Sequence, residues 1–356
     1  MNRRAAKAYD VASLEAVAKV VTENPDFATL WNFRREILEH THSGTRAEAR
    51  KAACAAEFAL TQECLGINPK SYPVWYHREW VLQWGSCDWQ WPVELKLTAK
   101  LLALDDRNFH CWTYRRSVVR IAGVAAEAEL VFTTGKIEAN FSNYSAWHYR
   151  SKLLPAIHAG SRDFAAVLRG ELELLRNAFF TAPEDSSAWF YHRWLLAQLS
   201  PGAAAAAAHP EFEALVRDEI RMVDELVELE PECKWPLAAA AFLSRTLQQH
   251  GMSDEETDAS AAAKLGSLQE IDRMRKRYYA DARVGAAAGG KADVPATPTG
   301  QWYQQPGRFF APYSPSESGA VTSTAQLPSF IESELTTRVE YETWRKAQEA
   351  KRRAPG

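Results

Sequence analysis

The residues with the potential for chemistry in this sequence fall into few reactive patterns. No Gly-rich phosphate loop and no HExxH, GxSxG or EF-hand spacing occurs. Cys54, Cys64, Cys87, Cys111 and Cys233 are odd in number, widely spaced and without a CxxC. They read as buried reduced thiols, not as a disulfide framework or a zinc site. His77, His110, His148, His158 and His192 are spread too regularly to converge on a metal. What recurs at fixed spacing is an arginine: Arg34, Arg78, Arg115, Arg150 and Arg193. Three residues ahead of each stands an aromatic: Trp31, Trp75, Trp112, Trp147 and Phe190, with the fifth Trp displaced to Trp189. On a helix that spacing shares a face. An arginine there lays its stem on an aromatic ring and aims its fork at carbonyls ending a neighbouring helix. The expected chemistry is therefore structural glue between repeats.

The elements that position these residues form a repeat. Arg-to-Arg steps of 44, 37, 35 and 43 residues match the period of a helix-pair solenoid with loops of variable length. A longer amphipathic segment precedes each Trp-bearing helix, for example AAEFALTQECL and VELKLTAKLLAL. Asn, Pro and Asp breakers separate the two, as at Asn24-Pro25, Asn68-Pro69 and Asp105-Asp106. No alternating strand pattern appears, so the fold class is all-α. Six units are expected, near 10–40, 53–84, 92–121, 126–155, 165–199 and 211–249, within a repeat domain 1–283. The sixth is degenerate, with Trp235 but no Arg three residues on. The basic start of the chain reads as the first helix. Residues 284–330, rich in Gly, Ala, Pro, Ser and Thr, read as a linker, although Trp302, Tyr303, Phe309 and Phe310 interrupt it. Residues 331–356 read as a C-terminal helix, and Gly202 to His209 as an Ala-rich loop. Six of the 13 Trp mark units, one each. A net charge of −3 provides no basic field for nucleic acid, and no apolar run is long enough to span a membrane. The expected location is cytoplasmic.

The copies NPKSYPVWYHREWVL, DDRNFHCWTYRR and NFSNYSAWHYRSKLLP resemble the alpha-subunit repeats of protein prenyltransferases. NPDFATLWNFRREIL and DSSAWFYHRWLL bring the likeness closer to the alpha subunit of Rab geranylgeranyltransferase (type II) than to the one shared by farnesyltransferase and the type I enzyme. The resemblance covers roughly residues 8–250. It implies a right-handed α-α superhelix, crescent-shaped, that wraps a beta subunit. No room is expected for the immunoglobulin-like and leucine-rich domains of some larger relatives. The beta subunit is expected to hold the isoprenoid pocket and a zinc ion, with no cofactor on this chain. The zinc would bind the substrate Cys as thiolate, which attacks C1 of geranylgeranyl diphosphate. Rab GTPases and a Rab escort protein are the implied further partners, and this chain alone is expected to be inactive. A pure helical-repeat adaptor is the alternative of a different class.

The resemblance also suggests site residues. A lysine near the diphosphate in farnesyltransferase-like relatives aligns with Arg107, which keeps the positive charge. The aromatics three residues before the repeat Trp, Tyr72, Phe109 and Tyr144, with the flanking Asn108 and Asn143, are expected to face the beta subunit.

Overall fold

The structure is a computed structural model that describes residues 2–158, 161–201 and 209–287. Every described element is helical. In order they are α1 (Asn2–Ala5), α2 (Val11–Glu23), α3 (Ala28–Thr41), α4 (Ala47–Ile67), α5 (Tyr72–Trp84), α6 (Trp91–Leu104) and α7 (Phe109–Ala122). There follow α8 (Ala126–Ala139), α9 (Tyr144–His158), α10 (Phe164–Thr181), α11 (Ser186–Leu199), α12 (His209–Leu229), α13 (Lys234–Gln249), α14 (Glu255–Ile271) and α15 (Lys276–Ala287). Short 3-10 turns at Asp88–Gln90 and Arg273–Arg275 lead into α6 and α15. The helices form two compact units that divide between Ala125 and Ala126. In the first, α2/α3, α4/α5 and α6/α7 are antiparallel pairs, and α3 touches α5 and α5 touches α7. In the second, α8/α9, α10/α11, α12/α13 and α14/α15 pair in the same way.

Each pair is closed by one tight turn, and side chains build it. Asn24, Asn68, Asp105 and Asn140 end the first helices, and their side-chain oxygens accept from the backbone N–H two residues on, at 3.0–3.2 Å. This Asx turn reverses the chain without glycine. Seven residues after each comes the repeat Trp, whose indole N–H donates back to the turn. Trp31 bonds Pro25 O, Trp75 Pro69 O, Trp112 Asp106 O and Trp147 Phe141 O, each at 2.8 Å. Trp189 bonds Pro183 O at 2.9 Å. All five rings are buried, at 5% exposure or less. Each buries about 2–3 kcal/mol of apolar surface and satisfies its one polar atom on a turn carbonyl.

The arginines go somewhere the sequence did not suggest. Arg34 forks onto Glu57 with both bonds at 2.6 Å, Arg78 onto Glu94 with both at 2.6 Å, and Arg150 onto Glu171 at 2.5 and 2.7 Å. Each glutamate lies on the first helix of the next pair. The third guanidinium nitrogen stays within its own pair. It donates to a main-chain carbonyl inside the first helix: Leu14, Phe58, Leu95 or Leu130 for Arg34, Arg78, Arg115 and Arg150. The expected target, carbonyls ending a helix, is thus replaced by a carbonyl along its length. Arg78 Cζ does lie over the Phe58 ring, at 5.1 Å. The next second helix then closes the network. His77 Nε2 meets Glu57 at 2.9 Å, Tyr114 OH donates to Glu94 at 2.7 Å, and Tyr191 OH to Glu171 at 2.8 Å. One carboxylate thus joins three helices, and Arg78 and Glu94 are 1% and 0% exposed.

Burial pushes the Glu57 carboxyl up, but bonds from His77 and Arg34 outweigh it and hold it below the usual carboxylate value. Burial drives His77 down against the pull of Glu57, so the ring is neutral at pH 7. Its Nδ1 faces Arg35 at 3.4 Å, which fixes the Nε2–H tautomer that donates to Glu57. Burial also raises the Tyr114 and Tyr191 phenols well above their usual value, so both remain hydroxyl donors.

The turn geometry corrects the repeat frame in three places. In the fifth pair Trp189 holds the Trp place, so the residue three on is His192, not Arg193. His192 Nε2 meets Glu219 of α12 at 2.9 Å, while the Arg193 guanidinium lies over Phe242 at 4.8 Å. In the sixth pair Trp235 stands two residues early and is half-buried, and Leu237, 2% exposed, takes the core place. A seventh pair, α14/α15, follows the six expected. Asp272 ends α14, and Tyr279 occupies the Trp place with its OH on Asp272 at 2.9 Å. At the start, the chain makes one short turn of helix, α1, with Arg4 on Glu36, before Asp10 caps α2. Helix α15 runs through Ala287, into the stretch read as linker. The rest of that linker, its aromatics and the C-terminal helix lie outside the described residues, as does most of the Ala-rich loop.

Three outcomes follow. Glu94→Leu leaves the Arg78 charge buried without a partner and lowers unfolding free energy by about 3–5 kcal/mol, measured by urea denaturation. Lys276→Ala, which breaks the exposed Lys276–Glu270 pair, changes it little. For His77, the unfolded chain takes up a proton near pH 6.5 that the folded one refuses, so stability falls as pH drops below that value. Glu57 adds its loss only below about pH 4.5, as acid protonates the carboxylate. His77→Gln therefore flattens the melting-temperature profile between about pH 7 and 5 and leaves the steeper fall at lower pH in place.

Candidate partner face at the helix-pair turns

In the first unit the turns lie side by side and are stitched together. Ser71 Oγ donates to Pro25 O at 3.1 Å, and Asn108 Nδ2 donates to Pro69 O at 3.0 Å. Each of these carbonyls also accepts its own indole N–H, so one oxygen joins a Trp to the cap of the next pair. Asn68 Nδ2 reaches Asp26 at 2.9 Å, and Lys70 pairs with Asp105 at 3.0 Å. This fixed edge presents Tyr72 at 68% exposure and Phe109 at 61%. His110 lies between them, 5.3 Å from Tyr72 edge-on and 4.0 Å from Phe109. Burial and the Lys70 charge lower its pKa, so the ring is neutral at pH 7.

Arg107 stands at the same turn. Its backbone N–H is held on Asp105 Oδ1 at 3.1 Å, and its side chain is exposed. Among the described residues, no carboxylate or other hydrogen-bond partner engages its guanidinium. Lys70 holds the equivalent place one turn earlier, each five residues before its Trp. Sequence reasoning passed over Lys70, though counting back from Trp75 locates it. Arg107 beside an exposed aromatic platform, with Lys70 neutralised by Asp105, makes a surface suited to an anionic group and an apolar partner.

The second unit has its own row. Tyr144 stacks on His148 at 6.0 Å and meets Phe190 edge-on at 6.4 Å, and Phe190 meets Trp235 at 5.5 Å. Ser187 Oγ donates to Ser142 O at 3.3 Å, joining the turns behind these rings. Tyr144 is 37% exposed, and burial raises its phenol pKa. Beyond it the turns become acidic, with Glu184, Glu230 and Glu232 lining a groove that also holds Phe180 and Leu229.

The expected face is therefore corrected in part. Tyr72, Phe109 and Tyr144 do reach the surface, the first two beside Arg107. Asn108 and Asn143 are 2% and 0% exposed. Asn108 Oδ1 accepts from the N–H groups of His110 and Cys111, and Asn143 Oδ1 from that of Ala146. A short side chain that caps the helix start must fold back onto it and cannot also face a partner. Of the arginines named with the repeat Trp residues, Arg34, Arg78, Arg115 and Arg150 are buried and bonded inward, so they belong to the scaffold. The glutamates that receive three of their forks were missed. Glu57 and Glu94 each stand four residues before a Thr, in AAEFALTQ and VELKLTAK, whereas Glu171 has Leu175 at that place and carries no such signal.

Comparison with known proteins places this arrangement. Residues 12–41, 54–85, 91–122, 126–157 and 168–199 match the protein prenyltransferase alpha subunit repeat. The chain is 47% identical over 217 residues to the geranylgeranyl transferase type-2 subunit alpha of Rattus norvegicus. That match covers 59% of this chain but only 38% of the rat protein's length. It is 38% identical over 273 residues to the subunit of the same name from Dictyostelium discoideum, covering 76% of this chain and 83% of that one. A solved structure titled Candida albicans protein geranylgeranyltransferase-I complexed with GGPP aligns at a TM-score of 0.60. It covers 81% of this chain and 87% of that one at 18% identity, which speaks to the fold alone. By its repeats, and by its identity to a relative covered over most of its length, the chain belongs to the protein prenyltransferase alpha subunit family.

Proposed function

We propose that this chain is the alpha subunit of a heterodimeric protein geranylgeranyltransferase of type II. In this reading it scaffolds a catalytic beta subunit that transfers geranylgeranyl from geranylgeranyl diphosphate to C-terminal cysteines of Rab GTPases, with a Rab escort protein as further partner, in the cytoplasm. The observation that carries the reading is the 38% identity to a type-2 alpha subunit across 83% of that protein. The turn face supports it physically. Tyr72, Phe109 and Tyr144 provide apolar contact on a backbone fixed by Asx turns and indole bonds. An aromatic held this way loses little conformational freedom on binding.

The reading assigns Arg107 to the diphosphate. A guanidinium with free donors, set on a rigid turn, can bind a departing diphosphate through two parallel bonds. Lys70 is tied to Asp105 and serves the same region as a neutralised pair. The zinc ion belongs, in this reading, to the beta subunit. Among the described residues of this chain, no three His, Cys, Asp or Glu cluster in a way that could hold a metal.

The test is co-expression with a type II beta subunit, isolation of the complex, and an assay of geranylgeranyl transfer to a Rab GTPase with and without escort protein. A stable complex that modifies the Rab only with escort protein is expected. Absence of a complex, or transfer only to substrates of the farnesyl or type I enzymes, overturns the reading. Tyr72→Ala with Phe109→Ala is expected to weaken heterodimer affinity by about tenfold or more, read by titration of the beta subunit. Arg107→Ala should leave the heterodimer intact and slow transfer by at least about tenfold, and Arg107→Lys should recover most of the rate.

A further inference from the structure

Two cysteines of the first unit stand apart from the others. Cys54 lies in α4 and Cys87 in the turn after α5, and both are fully buried. Their sulfurs converge on Gly85. A Cβ at that glycine would overlap Cys54 Sγ and lie 2.6 Å from Cys87 Sγ. The two sulfurs are therefore neighbours across a residue that must lack a side chain, and the Cys87 thiol donates to Val81 O at 3.7 Å. The turn that brings Cys87 inward is strained. Ser86 has a φ of 48°, in the left-handed region that a serine rarely adopts. The Cys87 N–H holds the turn on Leu82 O at 3.2 Å. Gln83, Ser86 and Asp88 around it are exposed, so the turn lies at the surface while both sulfurs are buried beneath it.

The remaining cysteines lack this arrangement. Cys64 lies 3.4 Å from Val21 O, and burial pushes its thiol up to about 12. Cys111 donates to Thr98 O at 3.6 Å, and burial raises the Cys233 thiol. Cys54 is held below the ordinary thiol value, first by the neighbouring Cys87 thiol, against burial and the Glu57 charge, with a smaller contribution from Arg50. The Arg50 guanidinium rests over the Trp84 ring at 5.6 Å, beside the same turn. A lowered thiolate with a second thiol in contact is the arrangement that captures small oxidants.

We propose that Cys54 and Cys87 are a reversible modification site, a dithiol that a small peroxide converts to a disulfide joining α4 to the turn after α5. In the first step the Cys54 thiolate attacks one peroxide oxygen. The O–O bond breaks and hydroxide leaves, taking up the proton that the Cys54 thiol lost on ionising to become water, and Cys54 is left as a sulfenic acid. The Cys87 sulfur then attacks the Cys54 sulfur. The S–O bond breaks, the Cys87 proton goes to the departing hydroxide, and water leaves. Two thiols and one hydrogen peroxide give one disulfide and two waters. Exchange with an external dithiol reverses the change. The bond fastens the helix carrying Glu57 to the turn that leads into the helix carrying Glu94, within the unit that presents Tyr72, Phe109 and Arg107.

The test treats the reduced full-length chain with graded hydrogen peroxide and maps its peptides without reduction. The expected product is one intramolecular link between the Cys54 and Cys87 peptides. Cys64, Cys111 and Cys233 should stay open to alkylation after unfolding, and dithiothreitol should restore both thiols. The oxidised chain should melt at a higher temperature than the reduced one. In Cys87→Ser the reaction should stop at a Cys54 sulfenic acid that a dimedone-type reagent traps. Five free thiols after treatment, a link through any other cysteine, or overoxidation of Cys54 in the unaltered chain without a link would each overturn the proposal. The peptide map of the unaltered chain decides even if the variant fails to fold.

Discussion

A buried guanidinium must be met by a buried carboxylate, and the helix pairs are set by that requirement. Arg34, Arg78 and Arg150 each fork onto a glutamate of the next pair, and a Tyr or His from that pair's second helix takes a remaining carboxylate position. Such a network adds little net stability over a well-packed apolar one, because taking both charges from water costs several kcal/mol. Its consequence is register. Sliding one helix by a turn would leave a charge unpaired in an apolar core, and that arrangement is far less stable than the observed one. The apolar stripe of Trp and Leu side chains sets how strongly pairs stack, and the Arg–Glu contact selects which residues meet.

The same logic explains why the candidate partner face lies at the turns. In the first five pairs the turn has a main-chain carbonyl taken by an indole N–H. In the first unit the cap side chain of the next pair takes the same oxygen. Those bonds consume the polar groups of the loop and leave its first helical residue pointing outward. At Tyr72 and Phe109 that residue is aromatic. The surface is rigid because its supporting atoms are buried, and a partner meets little disorder to freeze out. The outer position and the residue five before the Trp, a cation only at Lys70 and Arg107, differ from pair to pair, so the chemistry of the face is local.

The second helices were legible because their signal is dense. Trp and Arg three apart, with an Asn or Asp turn ahead, lie within about fifteen residues and on one helix face. The glutamates were not, because each belongs to the other helix of the next pair and loops of unequal length separate it from its arginine. The frame slipped at the fifth pair because Trp189 and Arg193 are four apart and the Arg looked like the better anchor. The indole bond to Pro183 shows that the Trp holds the frame and that His192 has inherited the ion-pair position. At the sixth pair the conspicuous Trp235 misled, because a core position had passed to Leu237. The seventh pair carries no Trp at all, because Tyr279 holds that place.

The sequence by itself determined the helix-pair architecture, the turn positions and the family, since these rest on local spacing, capping and propensity. Exposure of Tyr72, Phe109 and Tyr144 also followed from their place at a helix start. Tertiary structure alone decided which carboxylate each arginine meets, that Asn108 and Asn143 face inward, and that Cys54 and Cys87 touch. Those are contacts between residues on different helices, where packing selects the neighbour and no local pattern records it.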